Sequence, residues 1–194
     1  MGVNVTMPGW VVVLLVALFP LSEIALGIFR RAKPESSRNE DRGSLRVLWI
    51  VITFSVFAAV ACQWVPAARL PHLPVLRLSL FLALLIGGLV LRWAAILYLG
   101  RFFTMNVAIH DGHALVQWGM YKFVRHPSYT GMLLAFLGLG VSYWNWLSML
   151  SLMIPITCAV ANRILTEERA LRTAFGAEYD AYSARTKRLI PWLL

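Results

Sequence analysis

Charged residues are scarce in this chain of 194 residues, and acidic ones are the scarcest. Charged side chains make up 14% of the sequence, with nine Asp and Glu against 18 Lys and Arg, whereas soluble domains carry about 25% charged residues. Hydrophobic residues account for 59% of the chain. Such a composition disfavours a soluble globular protein and is typical of a protein that crosses a membrane several times.

Cysteine is nearly absent, and the two cysteines, Cys62 and Cys158, both fall inside apolar runs. Their number and spacing do not fit a zinc site or a redox pair, so we expect two buried, small apolar side chains. The four histidines do not form a metal-binding array, although His110 and His113 would share a face if their segment were helical. We therefore expect no metal. No Gly-x-Gly fingerprint follows a strand pattern, which excludes a Rossmann-type fold.

Long apolar runs are what the chain has in abundance. A spanning helix needs about 20 mostly apolar residues, and five segments meet this requirement to within a few residues at their ends. They are Trp10–Phe29, Leu45–Val65, Leu76–Leu99, Tyr129–Tyr143 and Leu147–Leu165. We predict an all-α, polytopic membrane protein of about five transmembrane helices in a single domain. Residues 1–74 would contain two helices and their loops, and residues 75–194 the remaining helices.

Positive charge is concentrated on one side of these predicted spans. Lys and Arg crowd residues 30–46, the stretch before the fourth span and the C-terminal segment, while the other side offers only Arg69 and Arg77. Because positively charged loops stay in the cytoplasm, the N-terminus is predicted outside and the C-terminus inside. The basic surface fits contact with anionic membrane lipids better than with nucleic acid, since the charges adjoin the membrane boundaries.

Two polar clusters flank the last pair of predicted spans. The first is Arg125–Gly131, with the sequence Arg-His-Pro-Ser-Tyr-Thr-Gly, and the second comprises Glu167, Glu168 and the nearby Phe175–Tyr179. The two spans between the clusters are joined by only a short connection, Tyr143–Trp146. A membrane hairpin returns its two ends to the same face, so both clusters are predicted to meet at the cytoplasmic side.

The arrangement resembles the isoprenylcysteine carboxyl methyltransferase family of integral membrane methyltransferases, over roughly Phe102–Pro191. The resemblance is carried by His113-Ala114-Leu115-Val116, by Gly119-Met120-Tyr121 and by the Arg-His-Pro-x-Tyr-x-Gly stretch. It implies S-adenosylmethionine as the cofactor, residues 75–194 as the catalytic core and a cofactor pocket on the cytoplasmic face. It also implies an acceptor carboxylate on a lipophilic or prenylated molecule that enters from the bilayer.

By this resemblance, the cofactor would be bound by residues of both clusters and of the loop before them. They are Asn106, His113, Ala114, Leu115, Val116, Tyr121, His126, Pro127, Ser128, Tyr129 and Glu167. Aromatic rings suit this cofactor because they stack on adenine and attract the sulfonium cation by roughly 1–2 kcal/mol. Without the resemblance, the same stretch is a tight turn whose proline and glycine only end and start helices.

Arg163 is the candidate for holding the acceptor carboxylate. It follows directly on an apolar run, where an ionisable side chain is costly and is functional by default, and its family spacing to Glu167 and Glu168 matches. The alternative is an ordinary i,i+4 ion pair with Glu167, worth about 0.3–0.5 kcal/mol. Arg92, inside another predicted span, has two alternatives of its own, because it either extends toward the interface or pairs with Glu23.

Other functions fit parts of the pattern. A thiol or a phospholipid amine is an alternative methyl acceptor, although the phospholipid N-methyltransferase branch usually has Asn-Pro where this chain has His126-Pro127. An NADPH-dependent sterol-type reductase is an alternative of another class, although those chains are generally longer. A non-catalytic membrane protein would bind no cofactor at all.

Overall fold

The computed structural model describes residues 17–26, 37–39, 43–100, 103, 108–110 and 115–191. Within these ranges the elements are α1 (Ala17–Leu26), β1 (Ser37–Asn39), α2 (Ser44–Cys62), α3 (Pro74–Leu99), β2 (Ala108–His110), α4 (Pro127–Tyr143), α5 (Trp146–Phe175) and α6 (Ala177–Arg185). Two short 3-10 turns, Pro66–Ala68 and Gly119–Lys122, lie between helices. Three of the residues predicted to bind the cofactor, Asn106, His113 and Ala114, lie outside the described residues.

Helices α2, α3 and α5 are long and apolar enough to cross a membrane. Helix α4 has 17 residues, and α1 is apolar but is described over a shorter stretch. The helical, membrane-spanning architecture is thus confirmed, while the count of five spans stays a prediction. Helix α5 runs ten residues beyond the predicted span, which ends at Leu165. Only helix-compatible residues precede Gly176, whose positive φ of 49° accompanies the end of the helix.

Close packing of α3 against α4 is the tightest contact between two helices, and glycines make it possible. A Cβ atom added at Gly88 on α3 would lie 2.5 Å from the backbone nitrogen of Ala135 on α4. A Cβ atom added at Gly131 would lie 2.5 Å from the backbone nitrogen of Arg92. Small residues let helix backbones approach in this way in membranes. Helix α2 packs mainly against α5, and α4 contacts α5 between the two pairs.

The α2–α3 and α4–α5 connections meet at one end of the helix bundle. The backbone nitrogen of Leu70 donates to the Trp144 carbonyl at 3.1 Å, and the Asn145 amide donates to the Val65 carbonyl at 3.2 Å. Asn145 also caps α5, since its side-chain oxygen accepts from the Ser148 backbone nitrogen at 3.0 Å. The start of α4 and the end of α5 therefore lie together at the opposite end of the bundle.

A short antiparallel ribbon departs from the all-α prediction. Strands β1 and β2 pair residue by residue, with Ser37 opposite His110 and Asn39 opposite Ala108. The sequence predicts a loop before the first polar cluster and leaves a helix open at His110, whereas this histidine lies in a strand. Three-residue strands are too short to produce a recognisable alternation of polar and apolar residues.

The prediction of two buried cysteines is wrong, because neither is fully buried. Cys158 is exposed on α5, and Cys62 is partly buried at the end of α2. Both lie in helices that can span a membrane. An exposed thiol on such a helix adjoins lipid rather than water, and lipid suits a small apolar side chain as well as a protein core does.

Candidate active site

The Arg-His-Pro-Ser-Tyr stretch forms the start of α4. Pro127 occupies the first helical position, where its missing N–H leaves no hydrogen bond unmade, and His126 is the N-cap residue. The side chains of His126, Ser128 and Tyr129 are all buried. The stretch is therefore a helix start whose polar side chains point into the protein, although residues of this kind are common in exposed turns.

The C-terminal segment after α6 fixes this helix start from one side. The backbone nitrogens of Arg125 and His126 donate to the carbonyls of Lys187 and Arg188, at 2.7 Å and 2.9 Å. The Thr130 hydroxyl donates to the Leu189 carbonyl at 2.7 Å. Backbone groups near Pro127 that lie outside the helical pattern are thus satisfied by protein, as irregular backbone near membrane depth requires.

Tyr129, Arg163 and Glu167 form a polar cluster between α4 and α5. The Tyr129 hydroxyl donates to Glu167 Oε1, and Arg163 Nε lies 3.2 Å from both the Tyr129 hydroxyl and Glu167 Oε1. Arg163 is 1% exposed, and its Nη1 atom donates to the Ser44 hydroxyl at 2.7 Å. The structure therefore brings residues of the two sequence clusters into direct contact, as the hairpin predicts.

His126 lies between two carboxylates. Its Nδ1 atom is 3.6 Å from Glu167 Oε2, and its Nε2 atom is 3.6 Å from Glu168 Oε1. Both distances exceed a hydrogen bond, and Nε2 is a buried atom without a hydrogen-bond partner among the described residues. Buried polar atoms nearly always make a hydrogen bond. This ring nitrogen is therefore available to form a hydrogen bond with a polar group of a ligand.

Glu168 has a different environment from Glu167 beside it. Arg125 Nε donates to Glu168 Oε1 at 3.0 Å, and Arg188 Nη2 donates to Glu168 Oε2 at 2.9 Å. Arg125 also donates to the Ser183 carbonyl at 2.9 Å. Glu168 thus joins the start of α4 to α6 and the C-terminal segment, whereas Glu167 belongs to the cluster with Tyr129.

Tyr121 is positioned by helices on both sides. Its hydroxyl donates to the Ala95 carbonyl of α3 at 3.1 Å, and its own carbonyl accepts from the Tyr182 hydroxyl of α6 at 2.8 Å. Burial raises the pKa of Tyr182 to about 12, so this hydroxyl remains a neutral donor at physiological pH. Val116 is buried in the same apolar cluster as Tyr121, and Leu115 is partly buried before it.

Sequence reasoning missed Ser44 and Arg188 as neighbours of the site. Ser44 begins α2 after Gly43, whose φ is 85°, and reaches Arg163 across 119 positions of the chain. The only local sequence signal at Ser44 is a helix-start pattern, which does not indicate that its side chain contacts Arg163. Arg188 lies in a basic terminal segment that we interpreted only as a sign of membrane orientation.

Known proteins are similar to this chain in sequence and fold. The sequence model of the isoprenylcysteine carboxyl methyltransferase (ICMT) family matches residues 81–173, which contain most of α3, all of α4 and nearly all of α5. The chain thus resembles the isoprenylcysteine carboxyl methyltransferase family over 93 of its 194 residues. The matched residues include Tyr129, Arg163 and Glu167, so the polar cluster lies within the part of the chain that the ICMT model matches.

Curated relatives carry methyltransferase names. A probable protein-S-isoprenylcysteine O-methyltransferase from Oryza sativa subsp. indica is 35% identical over 114 residues, which cover 58% of this chain and 60% of the relative. Methanethiol S-methyltransferase 1 from Bradyrhizobium diazoefficiens is 40% identical over 73 residues, which cover 38% of this chain and 25% of the relative. The match thus spans less than two thirds of the length of either relative.

A solved structure shares the fold. The eukaryotic intramembrane Ras methyltransferase ICMT, solved without a monobody, has a TM-score of 0.56 and is 27% identical in sequence. The similarity covers 77% of this chain and 51% of the other. The shared fold therefore extends beyond the residues that the ICMT sequence model matches.

Proposed function

We propose that this protein is an S-adenosylmethionine-dependent membrane methyltransferase that methylates the carboxylate of a lipophilic acceptor. The observation that carries the proposal is Arg163, a cation 1% exposed at the end of an apolar run and bonded to Tyr129 and Glu167. Burying an arginine this deeply costs free energy. An ionisable residue at membrane depth is therefore taken to be functional. The match to the ICMT family model and the name of the rice relative support the same activity.

The residues at the site suit S-adenosylmethionine. When bound, this cofactor supplies an electrophilic methyl group on a sulfonium centre. The Glu167 carboxylate and the Tyr129 ring are groups that stabilise a cation, by charge attraction and by the face of the ring. His126 Nε2, buried without a hydrogen bond among the described residues, offers a contact for a polar part of the cofactor. The remaining proposed binding residues are Asn106, His113, Ala114, Leu115, Val116, Tyr121, Pro127 and Ser128.

Arg163 would hold the acceptor carboxylate. Its Nη1 donor bonds the neutral Ser44 hydroxyl, and a carboxylate is a stronger partner for a guanidinium than a hydroxyl is. An acceptor carboxylate is ionised at neutral pH and is already a nucleophile, so Arg163 and its neighbours need not remove a proton from it. Their part is to align the acceptor and exclude water, which contributes roughly 7–11 kcal/mol to lowering a barrier.

The membrane arrangement follows from the same proposal. Five spans, with the N-terminus outside, would place the site on the cytoplasmic side, where the water-soluble cofactor is available. Arg125, Lys187 and Arg188 lie at the end of the bundle that holds the site, and Arg69 lies at the other end. This asymmetry supports the orientation, since positive residues favour the cytoplasmic side. A lipophilic acceptor would enter from the bilayer between helices.

Methyl transfer from labelled S-adenosylmethionine to a panel of acceptors tests the proposal. The panel contains a prenylcysteine, a thiol and a lipid amine, and we expect the prenylcysteine to be labelled. Arg163→Leu should lower its turnover by about ten- to a hundredfold, because a lost charge-assisted contact costs about 1.5–3 kcal/mol. Affinity for S-adenosylhomocysteine, measured on the same sample, should fall by less than turnover does, because Arg163 also bonds Tyr129 and Glu167, and the binding that remains shows that the variant is folded.

Arg163→Lys is the matched control, since it keeps the charge but not the planar fork and should restore turnover only in part. A full-rate Arg163→Leu enzyme would remove the carboxylate clamp. A thiol acceptor is the second candidate, which the methanethiol relative favours. Labelling of the thiol at the expense of the prenylcysteine would establish it instead.

A further inference from the structure

A second buried arginine lies outside the polar cluster of Tyr129, Arg163 and Glu167. Arg92 of α3 donates through Nε and Nη2 to the two carboxylate oxygens of Glu23 on α1, and the Nη2–Oε2 distance is 2.7 Å. The two side chains are 5% and 1% exposed. Of the two alternatives that the sequence left for Arg92, the structure therefore selects the ion pair with Glu23.

Arg92 also contacts the start of α4 in two ways. Its third donor, Nη1, bonds the backbone carbonyl of Ser128 at 3.3 Å. Its backbone packs on Gly131, where an added Cβ atom would lie 2.5 Å from the Arg92 nitrogen. The close approach of the two helices is thus what lets the guanidinium reach Ser128.

The bonded carbonyl belongs to the first turn of α4. Ser128 directly precedes Tyr129, whose hydroxyl bonds Glu167, and lies two residues after His126. A shift or rotation of this turn would move both side chains away from Glu167. Misplacement by about 1 Å is enough to impair a site even when its residues are all present.

We propose that Arg92 is a positioning residue for the cofactor site, and that Glu23 orients the Arg92 guanidinium toward the Ser128 carbonyl. Helix α1 thereby supports a site to which it contributes no binding residue. The inference rests on the proposed cofactor site. Stability alone is a poor reason for the pair, since a buried ion pair is often no more stabilising than apolar side chains of the same size. Such side chains would leave the Ser128 carbonyl without the donor that α3 supplies.

The test measures S-adenosylhomocysteine affinity by calorimetry and the thermal midpoint in detergent on the same full-length variants. Arg92→Met removes both the ion pair and the donor to Ser128. Leu85→Ala is the control, because Leu85 is 2% exposed on the same helix and packs near Gly138, away from the start of α4. We expect Arg92→Met to weaken affinity about tenfold, as the loss of one charge-assisted bond predicts. Leu85→Ala should lower the midpoint and leave affinity within about twofold.

The charge swap Glu23→Arg/Arg92→Glu separates positioning from stability. It restores an ion pair, but a carboxylate at position 92 cannot donate to the Ser128 carbonyl. We expect the midpoint to recover relative to Arg92→Met while affinity stays low. Recovery of both properties, or an affinity loss in Arg92→Met no larger than in Leu85→Ala, would overturn the inference.

Two further results are informative. Arg92→Lys replaces Arg92→Met if that variant does not fold, because a single ammonium group lacks the fork that reaches Glu23 and Ser128 together, and affinity should again fall. Undiminished affinity in Arg92→Lys would then count against the inference. A wild-type protein that binds no S-adenosylhomocysteine would overturn the proposed function itself, whereas normal wild-type binding with unaffected Arg92 variants would overturn only the role of Arg92.

Discussion

Alanine substitution at two adjacent glycines of α3 should have opposite effects on stability. Gly88→Ala should destabilise the protein, whereas Gly87→Ala should stabilise it slightly. A Cβ atom at Gly88 would lie 2.5 Å from the nitrogen of Ala135, 2.6 Å from the carbonyl oxygen of Gly131 and 3.0 Å from the Ala135 Cα atom. All three are backbone atoms of α4, so they cannot move aside as a flexible side chain would. At Gly87 an added Cβ atom meets nothing within 4 Å.

The magnitude follows from these distances. Carbon atoms pack best at about 3.5–4.0 Å, so Gly88→Ala must push α3 and α4 apart by about 1 Å. Overpacking of this kind typically costs about 1–3 kcal/mol. Gly87→Ala carries no such penalty and gains up to about 1 kcal/mol from the higher helix propensity of alanine. Gly88→Ala has the same gain in helix propensity, so the two variants should differ by the overpacking cost alone, about 1–3 kcal/mol.

Thermal unfolding in one detergent at one scan rate measures the difference. For a chain of this size, 1 kcal/mol corresponds to about 2–4 °C in the midpoint, so Gly88→Ala should unfold about 2–12 °C below Gly87→Ala. Gly88→Ala should also weaken S-adenosylhomocysteine binding, because the displaced α4 carries Tyr129. Equal midpoints for the two variants would refute the close α3–α4 packing on which the role of Arg92 depends.

Two other predictions test α6 and the membrane orientation. Tyr182→Phe should lower the free energy of unfolding by about 1 kcal/mol, since its hydroxyl donates to the Tyr121 carbonyl. Tyr179→Phe should be neutral or slightly stabilising, because the buried Tyr179 hydroxyl has no hydrogen-bond partner in the described part of the chain; equal losses in both variants, followed by chemical denaturation, would contradict this. Reporter fusions at the C-terminus and within Pro34–Gly43 should be cytoplasmic and one within Pro66–Pro74 should not, and a C-terminus on the far side would remove the cytosolic cofactor site.

The positions of the long apolar helices were predictable from local sequence. The apolar runs predicted helices at Leu45–Val65 and Leu76–Leu99, and the structure has them at Ser44–Cys62 and Pro74–Leu99. Apolar length decides whether a segment can span, so a single sequence is enough for this step. The predicted span Leu147–Leu165 lies within α5, and the helix continues beyond it in turns that are polar.

Contacts between residues that are distant in the chain were mostly not predictable from local sequence patterns. The hairpin between α4 and α5 predicted that Tyr129 and Glu167 would meet, because a short connection leaves little choice of geometry. No comparable constraint joins Ser44 to Arg163 or Glu23 to Arg92, which are 119 and 69 positions apart. Pairings of this kind depend on how the helices pack, and packing depends on features such as the glycines of α3 and α4.

The scarcity of acidic residues also bears on the site. Three of the nine acidic residues lie in the apolar helices α1 and α5, and each of them bonds an arginine. They are Glu23, Glu167 and Glu168. A carboxylate near membrane depth must have such a partner, so its presence in the sequence implies one. With 18 basic residues available, the sequence does not say which. The packing of the helices determines the pairing. Glu23 bonds Arg92, which also contacts Ser128 at the start of α4. Glu167 bonds Arg163, which also contacts Tyr129.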